Sequence, residues 1–191
     1  MKKVRVELVS MSAYSQSRKI VSEAGNKEQK AEFEKRVWRE RMHCDDSGEC
    51  FIPPMQFKKS VEIAAKFLRM RIPEKDRSEY GKHFRAGILV TEPLMLGVSR
   101  DDVKGEWLYV SSKGTPGGAR RVMKCFPYFP SWKGIVTFHV LDDTITEDVF
   151  EKHLIEAGNF VGIGRFRPER GGFYGRYQPK SFDWSNGSIE G

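Results

Sequence analysis

The stretch from Gly158 to Tyr177 constrains this chain more than any other. With Ala157 before it, it reads AGNFVGIGRFRPERGGFYGRY, holding six glycines (158, 162, 164, 171, 172 and 175), four arginines (165, 167, 170 and 176) and one acid, Glu169. Glycines at this density let a backbone turn through positive φ and come close to a ligand. The arginines between them supply bidentate, permanently charged donors suited to phosphate. Phe160, Phe166, Phe173, Tyr174 and Tyr177 add flat faces on which bases can stack. A helical pattern precedes the stretch and an alternating run follows it. Framing of that kind argues for an ordered, polyanion-facing loop and against a disordered linker.

Charge agrees with that reading. The 191 residues carry a formal net charge of +7, and the excess is segregated. From Trp107 to Ile135 there are five basic residues (Lys113, Arg120, Arg121, Lys124 and Lys133) and no acid. Acids collect instead in Asp142, Asp143, Glu147, Asp148, Glu151 and Glu156. This segregation points to one binding face, an acidic partner and one solvated back. No run approaches the length of a membrane span. In the opening MKKVRVELVS, Arg5 and Glu7 interrupt the apolar positions, so it reads as a strand and not as a signal peptide, and a cytoplasmic location is expected. Three cysteines do not make a disulfide framework.

Val4, Val6 and Leu8 alternate with Arg5, Glu7 and Val9, which predicts a first strand. The acid-free loop after it contains Arg18 and Lys19 and is open to two readings, a plain surface loop or a phosphate contact. A charged helix is expected over about 26–42, with Phe33, Val37 and Met42 as sparse apolar marks and therefore light packing. It belongs to an insertion spanning 11–51. Within HCDDSGEC, His43, Cys44 and Cys50 admit a zinc reading, but the spacing is no recognised knuckle, so a solvated turn is preferred and no metal or cofactor is expected. Phe57, Val61, Ala64, Ala65 and Leu68 give a core-facing helix over 55–70. Residues 84–90 read as a strand. Two β-rich runs, 106–112 and 119–126, flank KGTPGG and predict a basic hairpin over 107–126. A buried strand over 134–141 follows, then a helix capped by Thr144 or Thr146 and closed by Gly158, then a last strand over 176–184. Residues 185–191 read as a flexible tail, which leaves 1–184 as one domain.

This order predicts an α+β ferredoxin-like (RRM-like) fold. It has an antiparallel sheet and two packed helices, elaborated by the inserted helical segment and the protruding β-hairpin. At this point the residues resemble a family. Helix, AG, GIGRFRPERGGFYGRY and strand resemble the C-terminal signature of the RAMP superfamily of CRISPR RNA-binding proteins, in particular the backbone subunits that line a guide RNA. Gly162, Gly164, Arg165, Arg167, Gly171, Gly172, Phe173, Gly175 and Arg176 stand where that family has its glycine-rich segment. The match covers 134–180 and is architectural elsewhere. The chain is short for a backbone subunit, so a small standalone or virus-encoded relative is equally consistent. The resemblance implies that the hairpin around Lys113 wedges between guide nucleotides, and that the loop holding Arg18 and Lys19 touches the RNA backbone.

Three functions follow as expectations. The first is single-stranded RNA binding without chemistry, through the loop (with Arg170) and the hairpin cations Lys113, Arg120, Arg121 and Lys124. Its partners would be other effector subunits or further copies of the chain along the RNA. The second is a metal-independent endoribonuclease using His43, Asp45 or Asp46. The third is a virus-encoded interaction protein that turns the basic face on a protein partner.

Overall fold

The computed structural model describes residues 1–73, 75, 77–111 and 120–186. In chain order the strands and helices are β1 (Lys2–Ser10), β2 (Tyr14–Ser15), α1 (Lys30–Val37), β3 (Glu49–Ile52), α2 (Pro54–Leu68), α3 (Gly81–Gly87), β4 (Ile88–Leu89), β5 (Leu94–Ser99), β6 (Lys104–Ser111), β7 (Arg121–Phe129), β8 (Lys133–Val140), α4 (Glu147–Glu156) and β9 (Tyr177–Asn186). The central sheet has the order β4-β8-β1-β9 with every pair antiparallel. With α2 between β1 and β4, and α4 between β8 and β9, this is the β-α-β-β-α-β ferredoxin-like plan expected from the sequence. Two smaller sheets, β2-β7-β6 and β3-β5, are added to it.

Alternation in β1 sends Val4, Val6 and Leu8, each 0% exposed, to one face of the sheet. Val136, Phe138 and Val140 of β8 join them, and α2 and α4 cover that face with Phe57, Val61, Phe150 and Leu154. Each large side chain so buried contributes roughly 1.5–3 kcal/mol. Pro54 sits at the first position of α2, where its missing N–H costs nothing. The opposite face carries Arg5, aligned with Thr137 and Asp183, and Glu7, aligned with Ile135 and Ser181. At these positions it offers charges, hydroxyls and the exposed Ile135.

Several local expectations give way to packing. Residues 84–87 are helical, and Ile88 and Leu89 alone pair with β8, because the Phe84 ring stacks on His153 of α4 at 4.3 Å. The 26–42 helix is reduced to α1 plus a single-turn helix, Trp38–Arg41, and it is not lightly packed. Val37, Trp38 and Met42 are buried. So is the ion pair Glu34–Arg41 at 3.0 Å, and Glu34 also accepts the Cys125 N–H at 2.8 Å, clamping α1 to β7. Thr146 does stand at the start of α4, but its hydroxyl donates to the Asp148 carboxylate and accepts no capping backbone N–H. Gly158 does not close α4. The helix runs on through a π-helical turn, Ala157–Val161, and Gly162 ends it at φ 71°. Gly158 is required for a different reason: a Cβ there would strike the Tyr177 carbonyl of β9.

Candidate nucleic-acid interface

The glycine-rich stretch is an ordered loop folded against its own chain. Arg165 N–H donates to the Ser15 carbonyl (2.8 Å), Gly175 N–H to Ala13 (2.7 Å) and Ile163 N–H to Gly175 (3.0 Å). Gly164 and Gly175 hold φ of 77° and 73°, which an L side chain rarely adopts. A Cβ on Gly164 would enter the Ser15 carbonyl, and one on Gly175 the Ile163 carbonyl. These glycines therefore serve close approach of protein backbone to protein backbone, and they fix the loop over the β1–β2 connection.

Its arginines differ sharply from one another. Arg165 turns inward, with 14% of its side chain exposed. It donates to Ser15 Oγ (3.1 Å), pairs with Glu106 (3.4 Å) and lies over the Phe126 ring at 4.0 Å. Arg41 lies over the same ring at 5.0 Å. Tyr174 donates to Glu106 at 2.5 Å, and burial followed by that carboxylate pushes the phenol up to about 12. Glu34, Arg41, Phe126, Arg165, Glu106 and Tyr174 thus join α1, the β6–β7 hairpin and the loop in one network. Burial lowers the pKa of Arg165 from its usual value. The Arg176 guanidinium donates to the Asn159 carbonyl, and its backbone N–H donates to the Ser12 hydroxyl, so it too is tied to the fold. Arg167 and Arg170 share a single carboxylate, Glu169, at 2.8 and 3.0 Å, and Arg170 is 68% exposed. Five guanidinium donors each against one carboxylate leave both able to bind phosphate. Phe173 is exposed beside Phe166, and Gly171 and Gly172 form the outer bend.

Between this loop and α2 lies a cleft of about 520 Å³. It is lined by the Gly162–Gly164 backbone and by His43, Gln56, Lys59, Ile63, Phe166 and Arg167. Gln16, fully buried, builds its floor: its amide donates to the Phe51 carbonyl (2.8 Å) and accepts the His43 N–H (2.7 Å). Tyr14 donates to Gln56 at 2.9 Å beside it. His43 is half-buried against Phe51, and its pKa is lowered by desolvation first and by the Arg18 charge second. The imidazole is therefore neutral at pH 7 and can accept a proton. Cations, a neutral imidazole, amide groups and an apolar wall of Ile63 and Phe166 suit a phosphate-bearing group with a flat apolar ring.

Asp45 and Asp46 take no part in the cleft. The Asp45 carboxylate accepts from the Ser47 hydroxyl (2.7 Å) and from the Ser47 and Glu49 N–H groups, which lower its pKa and spend it on a turn. His43, Cys44 and Cys50 do not converge as a ligand set: no three His, Cys, Asp or Glu side chains among the described residues are grouped to hold a metal ion. Arg18 and Lys19 line a second pocket, about 180 Å³, together with Cys44, Arg39 and Arg100. On the hairpin, Arg120 and Arg121 are exposed and Lys124 is half-exposed, whereas Lys113 and the turn 112–119 lie outside the described residues. Sequence reasoning missed Trp107 and Tyr109, 43% and 64% exposed on one face of β6, with Met123 opposite Tyr109. The alternating aromatics at 107 and 109 inside an acid-free run were the available signal.

No family model and no curated protein matches this chain. Among solved structures it is similar to a crystal structure of Cmr6 from Pyrococcus furiosus, with 12% identity, 94% of this chain and 99% of that chain covered, and a TM-score of 0.49. It is also similar to a chain of the Type III-B Cmr-beta complex bound to cognate target RNA, with 14% identity, 96% and 60% coverage and a TM-score of 0.48. A third is a chain of a CRISPR RNA-guided surveillance complex, with 8% identity, 94% and 67% coverage and a TM-score of 0.38. At such identities, and with each TM-score below 0.5, these likenesses carry no weight for function, which has to be read from the cleft and the hairpin.

Proposed function

We propose that this protein binds single-stranded RNA. The strand would lie in the cleft beside the glycine/arginine loop and continue along the β6–β7 hairpin. One observation carries the reading: two cationic regions with exposed aromatic rings, the glycine/arginine loop and the β6–β7 hairpin, are joined by the contact of Arg165 with Phe126. Phosphates would be held by Arg167, Arg170, Lys59, Arg121 and Lys124, and bases stacked on Phe166 and Phe173. The finer reading is that the RNA is a guide strand in a CRISPR-type ribonucleoprotein, and the nucleic acid extracted from the purified protein identifies it. The binding test is titration of unrelated oligoribonucleotides at several salt concentrations. Arg167→Ala should weaken all of them alike and lower the slope of log K against log salt by about 0.7. Unchanged slopes, or a change confined to one sequence, would overturn backbone recognition.

His43 favours a second reading, since a neutral imidazole in the cleft can deprotonate a ribose 2′-OH without a metal. Binding alone predicts that wild type leaves labelled RNA intact and that His43→Ala binds normally. Cleavage that His43→Ala abolishes would make the ribonuclease reading the right one.

A further inference from the structure

Cys44 and Cys50 face each other across an antiparallel bridge. The hydrogen bonds on either side of them, Phe51 N–H to His43 (2.9 Å) and Asp45 N–H to Glu49 (3.0 Å), make theirs a non-hydrogen-bonded pair, where side chains approach most closely. Their sulfurs are 3.2 Å apart, and both are free thiols. Cys50 is fully buried behind Cys44, with Met42 Sδ 3.8 Å from its sulfur. Cys44 opens onto the 180 Å³ pocket whose other walls include Arg18, Lys19, Arg39 and Arg100. Two carboxylates, Glu40 and Asp45, also line it, both held by hydrogen bonds from the chain around them, so its four cations leave the lining net positive. Four cations around an open thiol, with a second thiol in van der Waals reach, are more than a structural turn requires.

We propose that Cys44 and Cys50 are a dithiol–disulfide exchange site, whose substrate is a small anionic disulfide of the glutathione class received in this basic pocket. The cations hold the carboxylates of the incoming molecule. Cys44, the sulfur open to the pocket, attacks one substrate sulfur as a thiolate. Its S–S bond breaks, one small thiol leaves with the proton that Cys44 lost, and a mixed disulfide remains on Cys44. Burial pushes the Cys50 thiol up to about 12, so it reacts second, when its proton passes to the departing group and its sulfur displaces the second small thiol from Cys44. Two protein thiols are oxidised by two electrons and one small disulfide is reduced to two thiols. The new bond ties together the strands carrying His43 and Phe51, both bound to Gln16, and so stiffens one wall of the RNA cleft. This site stands independently of the RNA reading.

The test is exposure of the full chain to oxidised glutathione, followed by acid quenching, alkylation and peptide mass mapping. Wild type should lose two thiols and yield a Cys44–Cys50 cross-linked peptide, with Tm raised by a few degrees. Cys50→Ser should stop at a glutathione adduct on Cys44, and Cys44→Ser should leave Cys50 unmodified over the same time. Replacing Arg18 and Arg100 together by Gln should slow the reaction about tenfold with oxidised glutathione and not with uncharged hydroxyethyl disulfide. The proposal is overturned if no Cys44–Cys50 link forms at any ratio of oxidised to reduced glutathione, or if buried Cys125 is modified as fast as Cys44. Equal slowing with both disulfides would equally overturn the role of the pocket.

Discussion

The glycine/arginine loop and the β6–β7 hairpin are both basic, yet they spend their charge in opposite ways. In the loop, Arg165 and Arg176 are turned into the fold, and Arg167 and Arg170 share Glu169. On the hairpin strands, Arg120 and Arg121 stand in solvent, and the run from 107 to 135 contains no acid. Equal charge density in a sequence therefore conceals two roles, one that builds a site and one that presents charge to a partner. The physical reason is the neighbours: Glu106 and Phe126 of the hairpin lie beneath Arg165, whereas among the described residues no carboxylate pairs with Arg120, Arg121 or Lys124.

The sharpest way to break that contrast is Arg165→Ala. It removes a partly buried ion pair and a ring contact and leaves Glu106 short of a partner, so it should cost about 2–4 kcal/mol in urea unfolding. A variant as stable as wild type that merely binds RNA less well would mean that Arg165 is a ligand group like the others. Next in size, changing Arg120 and Arg121 together to Ala should reduce RNA affinity severalfold while moving stability by less than about 0.5 kcal/mol. Loss of stability with affinity intact would reverse the assignment of the hairpin.

The smallest effect is a pH dependence. His43 and His153 both have pKa values lowered chiefly by burial. The unfolded chain then binds more protons than the folded one just below the ordinary histidine value, so stability rises with pH there. It should be full above about pH 6.5 and should fall as pH drops below it. Thermal unfolding between pH 7.5 and 5 checks this, and His43→Gln should flatten part of the slope. A slope unchanged in that variant would place His43 in a solvated, not a cleft-lining, setting.

Much of the fold was legible because it is written in local periods. Alternation in 4–8 and 134–140, and the apolar spacing of Phe57, Val61, Ala64 and Ala65, mark β1, β8 and α2 before any contact is known. The same logic failed over 84–90, where Phe84 has β propensity but meets His153 and Phe150 and is held helical. Trp38 escaped the reading of α1 because a side chain in a single-turn helix has no period to betray it. The candidate site was legible as composition, in the glycines and arginines, and illegible as geometry.

What this sequence determined by itself is the order of elements, the antiparallel plan and a glycine loop framed by helix and strand. Each depends on residues a few positions apart, whose spacing sets which way side chains point. What the tertiary structure alone decided is which groups meet: Arg165 with Ser15 and Glu106, Glu34 with the Cys125 N–H, and His43 with the loop it faces across the cleft. Those partners are separated by tens of residues to more than a hundred, and no local preference encodes such a distance. They are selected by the cost of leaving a buried charge or N–H unpaired, which is felt only once the sheet and its helices have closed.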